Sequence, residues 1–117
     1  DLSGLTVRPL TPEELPSAPG QGALLAEARA DRPDLIEALA DMHDVMTARC
    51  VTLERQVLAG IGGGCQQPLG ALATPQADGS LILRAAYAPD GDLRRAEAQG
   101  TDDQALLAEV LKGIGLS

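Results

Sequence analysis

The chain has 117 residues, 44% of them hydrophobic, and carries nine Lys and Arg against seventeen Asp and Glu for a formal charge of −8. That length fits one domain, or one domain plus a short piece of another, and with Tyr87 as the single aromatic residue the core must come from Leu, Ile, Val and Ala. The charge argues against a nucleic-acid binder, since no basic cluster exceeds Arg94-Arg95, and it equally disfavours polyanionic small molecules. No apolar run nears the roughly 20 residues of a membrane span. The first residues, Asp1-Leu-Ser-Gly-Leu5, lack the regions of a signal peptide. A cytoplasmic protein with no membrane partner is therefore expected.

The segment through Gly20 holds four of the eight prolines, Pro9, Pro12, Pro16 and Pro19, and shows no sustained period, so it reads as a connector. Gln21 to Arg29 is short and apolar between Gly20 and Asp31-Arg32-Pro33, which suits a buried strand, although a helical turn is also permitted. From Pro33 the period becomes helical through Leu35, Ile36, Leu39 and Met42. A second helix starts after the N-cap Asp44, shows Met46, Cys50, Leu53 and Val57 on one face, and is stopped by Gly60.

Two strand-like runs, Pro68 to Thr74 and Ser80 to Tyr87, flank an Asp78-Gly79 turn, and a second turn at Pro89-Asp90-Gly91-Asp92 leads into Leu93 to Ala98. Asp-Gly between such runs is a strong hairpin signal, so the three form an antiparallel meander with Leu81, Leu83, Ala85 and Tyr87 on one face. Thr101-Asp102-Asp103-Gln104 has the form of a capping box before Leu106, Leu107, Val110 and Leu111, a helix ending at Lys112-Gly113. The expected fold is α+β: a three-stranded antiparallel sheet covered on one face by three helices, preceded by an N-terminal connector and strand. That leading strand has no partner. Residues 1–30 therefore read as part of a preceding domain and 31–117 as the α+β domain proper.

Chemistry centres on Leu58 to Ala73, where Gly62-Gly63-Gly64 places Cys65 on a loop. Three glycines admit positive φ and close approach of a bulky group, so this thiol can be reached. Cys50, on the core-facing stripe, reads as a small buried residue. Their spacing fits no CxxC pattern and the only histidine is His43, so neither a disulfide nor a metal site is expected. His43 next to Asp44 suits a capping or surface role, Glu54-Arg55 a structural ion pair, and Asp102-Asp103 the helix dipole.

Four blocks, in order, give the chain a family resemblance: Pro16-Ser-Ala-Pro-Gly-Gln-Gly-Ala-Leu24 followed by Glu27-Ala-Arg29; His43-Asp44 with Thr47-Ala-Arg-Cys-Val51 and Glu54-Arg55; Gly62-Gly-Gly-Cys-Gln-Gln-Pro-Leu-Gly70; and the Asp90-Gly91 turn. They cover nearly the whole length and resemble the C-terminal part of porphobilinogen deaminase, or hydroxymethylbilane synthase. Leu53 and Gln67 depart from the usual Ala and aliphatic residue.

The resemblance implies that Cys65 carries a dipyrromethane cofactor as a thioether, the primer for stepwise condensation of four porphobilinogen molecules. It implies Gly63, Gly64 and Gln21 as cofactor-site residues. It implies as partners the porphobilinogen-derived pyrrole chain and the N-terminal catalytic domains, which carry the catalytic aspartate and most carboxylate-gripping arginines; no catalytic residue is expected within this chain. A thiolate is a soft nucleophile suited to an electrophilic methylene pyrrole, while each pyrrole unit brings carboxylates that an acidic domain repels. Two other readings are a free-standing binding or assembly module that kept the fold and lost catalysis, and a thiol redox protein, for which Cys50 is badly placed.

Overall fold

The computed structural model describes residues 3–64 and 66–116. Three helices and three strands follow in the order α1 (Pro33–Ala40), α2 (Val45–Gly60), β1 (Leu69–Pro75), β2 (Leu81–Tyr87), β3 (Arg94–Gly100) and α3 (Asp103–Gly113). The strands form one antiparallel sheet, β1-β2-β3, as the two turn signals predict. The register places Ala71, Ala85 and Ala96 in one row and Ala73, Leu83 and Ala98 in the next. These rows face α2 and α3, and Leu53, Val57, Leu106, Val110 and Ile114 close the core over them. Among the described residues no helix is long and apolar enough to cross a membrane.

Two expectations need correction. The sheet is covered by two helices, because α1 buries no residue and leaves Leu35 and Ile36 exposed. Three strands about 4.8 Å apart make a face that two helices about 10 Å apart already fill. Nor does Gln21 to Arg29 form a strand; it runs exposed, with Leu24 100% and Leu25 76% accessible. A strand needs a sheet edge to pair with, and the free edge of β1 is taken. There the Ala71 N–H donates to the Ser17 carbonyl (2.8 Å), the Ala73 N–H donates to Glu54 Oε1 (2.9 Å), and Pro75 has no N–H to offer.

Helix ends follow local chemistry. Asp44 accepts from the Thr47 N–H, so the first N-cap stands where the sequence puts it, whereas α3 is capped by Asp102, which accepts from the N–H groups of Gln104 and Ala105, one residue after the Thr101 that the capping box predicts. The helices end at Gly60 and Gly113 as predicted, but the left-handed residue that closes each stop lies two positions further on. Gly62, at φ +95°, closes α2 with Gly62 N–H bound to the Ala59 carbonyl and Gly63 N–H to that of Leu58, a Schellman pair. Gly115 closes α3 identically, through Lys112 and Leu111. Gly60 and Gly113 serve contact instead: a Cβ on Gly60 would lie 2.7 Å from Leu111 Cδ2, and one on Gly113 2.5 Å from Ala96 Cβ.

The segment from Pro12 to Ser17 crosses the opposite face of the sheet. Arg84, on β2, pairs with both Glu13 (3.0 Å) and Glu97 (2.7 Å), and Arg95 donates to the Glu13 carbonyl. Gly70 lies directly under the Pro16 carbonyl. Between the helices, Arg49 of α2 grips Asp103 and the Thr101 carbonyl, so Asp103 does more than complement the dipole.

Gly113→Ala should lower stability by about 1–2 kcal/mol, since overpacking against the stiff Ala96 Cβ outweighs the helix propensity gained at a terminal position. A fall in the urea midpoint at unchanged m-value would show this.

Candidate functional site

The loop between α2 and β1 begins and ends on firm supports. The Schellman pair fixes it to α2, and at its far end the Leu69 N–H donates to the Gln67 carbonyl while the Ala88 N–H donates to that of Pro68. Between these, Gly62, Gly63 and Gly64 all have positive φ, at +95°, +71° and +102°, and a Cβ built on any of them would meet no atom of the described residues within 4 Å. Gln67 donates to the Gly64 carbonyl at 3.3 Å, which ties together the residues on either side of Cys65. Cys65 itself lies outside the described residues. Its neighbours Gly64, Gln66 and Gln67 are exposed.

The other predicted residues divide. The Gly63 N–H is spent on the helix stop. Gln21 folds back on its own turn, Oε1 accepting from the Ala18 N–H at 3.1 Å. It lines a groove with Met46, Thr47, Cys50, Glu54 and Pro75, and among the described residues of the Gly62–Pro68 loop none lines that groove. His43 stands exposed between α1 and α2, in keeping with its surface reading. Cys50 is a free, buried thiol, its pKa pushed up by burial first and by the nearby Glu54 charge second.

Glu54 departs from its expected ion pair with Arg55. It is 4% exposed, and its two oxygens accept from backbone amides, Gly20 at 2.6 Å and Ala73 at 2.9 Å. The sequence does hold a signal for this. Glu54 falls four residues after Cys50 and three before Val57, on the core face of α2.

Charge in the domain is largely spent internally. Arg8, Arg29, Arg32, Arg49, Arg84 and Arg94, six of the nine basic residues, each lie within 3.0 Å of a carboxylate oxygen. None of these guanidinium groups is held apart for an anionic ligand.

Residues 48–112, from α2 through the glycine loop and sheet to α3, match the family description "Porphobilinogen deaminase, C-terminal domain". This chain belongs to that family. It is 47% identical over 98 residues to the porphobilinogen deaminase of Chromobacterium violaceum, covering 82% of this chain and 31% of the relative. Against that of Paraburkholderia phytofirmans identity is 51% over 83 residues, 70% of this chain and 24% of the relative. Porphobilinogen deaminase 1 of Streptomyces avermitilis is 42% identical over 93 residues, 80% of this chain and 26% of its own length. The chain thus spans about a quarter to a third of the curated relatives it matches. Within the matched region Leu53 is 1% exposed in the core, and Gln67 is exposed.

The environment of Cys50 yields a direct expectation. In the folded protein at pH 8, iodoacetamide should leave Cys50 unmodified over times that label a small-molecule thiol fully, and labelling should become complete in denaturant; peptide mapping reads the outcome.

Proposed function

We propose that this chain is the C-terminal, cofactor-anchoring part of a hydroxymethylbilane synthase acting in tetrapyrrole biosynthesis in the cytoplasm. The observation that carries the reading is the glycine run Gly62–Gly64 next to Cys65, all at positive φ with open space where a side chain would stand, inside the span that matches the family. Cys65 would hold dipyrromethane through a thioether, and the side-chain-free Gly63 and Gly64 fit that group because no atom of the described residues within 4 Å would oppose a bulky neighbour. Bound there, dipyrromethane supplies the primer onto which porphobilinogen units condense head to tail with loss of ammonia.

The rest of the chain supports a holding role. A domain of net charge −8, with most arginines already paired, repels a carboxylate-rich pyrrole chain at long range, so the groups that grip that chain belong to the N-terminal catalytic domains. Residues 1–30 would lead in from that preceding part, with Gln21 offering a polar contact at the boundary. The two anchored ends of the loop keep Cys65 attached to a rigid sheet and helix while the glycines leave the attached group free to reorient.

Intact-mass measurement of the chain joined to the family's N-terminal domains should show an increment of two linked pyrrole units. Cys65→Ser should abolish it and Cys50→Ser should keep it. An unmodified wild-type mass would overturn the reading in favour of a module that kept the fold and lost catalysis. The 117-residue chain alone should release no ammonia from porphobilinogen, and measurable release would contradict the assignment of catalysis to other domains.

A further inference from the structure

Pro16 to Gln21 is bound to the domain, whereas Gly22 to Glu27 next to it is exposed. Three contacts hold it. The Ser17 carbonyl accepts from the Ala71 N–H at 2.8 Å, Glu54 Oε2 accepts from the Gly20 N–H at 2.6 Å, and Pro16 covers Gly70. Glu54 is the member that joins everything: it sits on α2, which leads into the glycine loop, and its other oxygen holds Ala73 of β1, which leads out of it. One buried carboxylate thus ties together both supports of the loop and a turn 34 residues upstream.

We infer that Glu54 is a positioning residue, a latch that fixes the Ser17–Gln21 turn to α2 and β1 and so sets the incoming chain at a constant distance from the supports of the glycine loop. An acidic side chain suits this because two amide donors converge on it, and a carboxylate offers both oxygens as acceptors where an amide side chain offers one. Gly20 fits the same purpose: its φ of +72° is one that side-chain-bearing residues rarely adopt, and an added Cβ there would lie 3.6 Å from Val51 Cγ1.

The test uses Glu54→Gln, which keeps one acceptor, and Gly20→Ala, which strains the turn while leaving the Glu54 to Ala73 bond. Amide hydrogen exchange of the chain should quicken at least tenfold at Gly20 and Ala71 in both variants, with Leu83 and Val110 unchanged. In the full-length enzyme both should lower kcat about tenfold with KM within twofold, as expected when reacting groups are misplaced without loss of substrate contacts. Exchange at Gly20 and Ala71 that stays at the wild-type rate, or that rises only in step with the core amides, would overturn the latch. Wild-type kcat despite quickened exchange would overturn its positioning role. The kinetic arm rests on the proposed function and the exchange arm does not, so absence of cofactor on Cys65 and failure of the latch give different results.

Discussion

Close approach of two helices to a sheet lined with alanine is the constraint on which the rest of this domain depends. With no Phe or Trp and a single Tyr, the core cannot be filled by large side chains, so its density comes from bringing backbones together. Ala71, Ala73, Ala85, Ala96 and Ala98 present a shallow surface, Gly113 lies against Ala96, and Gly60 lies against Leu111. Aliphatic side chains from α2 and α3 then fill the remaining space at the packing density expected of a protein interior. Everything that serves the glycine loop hangs on this arrangement, because α2 and β1, its two supports, are both packed into it.

A second consequence is an edge problem. A three-stranded sheet exposes two edges, and an exposed edge invites pairing with other chains. On β1 the outward amides are occupied by a carbonyl from upstream and a carboxylate from α2, and the last position is a proline. The edge is therefore closed without a fourth strand, and the same contacts bind the incoming segment.

Much of this was legible in the sequence. Helix periods, the two Asp-Gly turns and the Asp44 cap follow from local chemistry, and all three strands and three helices stand within about two residues of where the pattern puts them. What misled was punctuation and context. Both helices do end at Gly60 and Gly113, yet the left-handed glycines that cap them are Gly62 and Gly115; a packing glycine and a capping glycine are identical in a sequence. The apolar run after Gly20 looked like a strand, but strands exist only in pairs, and pairing is a tertiary fact. Glu54 was read as half of an ion pair with Arg55, since its backbone partners lie 34 and 19 residues away. Of the proposed site, the open glycine run could be read directly, whereas the fold-back of Gln21 onto the Ala18 N–H could not, because it depends on how the connector turns.

The exposed segment from Gly22 to Glu27 has a colloidal consequence. Leu24 and Leu25 leave apolar surface uncovered on a segment outside helix and sheet, the kind of patch that favours self-association when chains meet. The formal charge of −8 opposes such contact through repulsion between copies, an effect that weakens as the pH falls toward the sequence isoelectric point of about 4.4 and as added salt screens it. Uncovered leucines and an acidic surface thus act in opposite directions on the same segment.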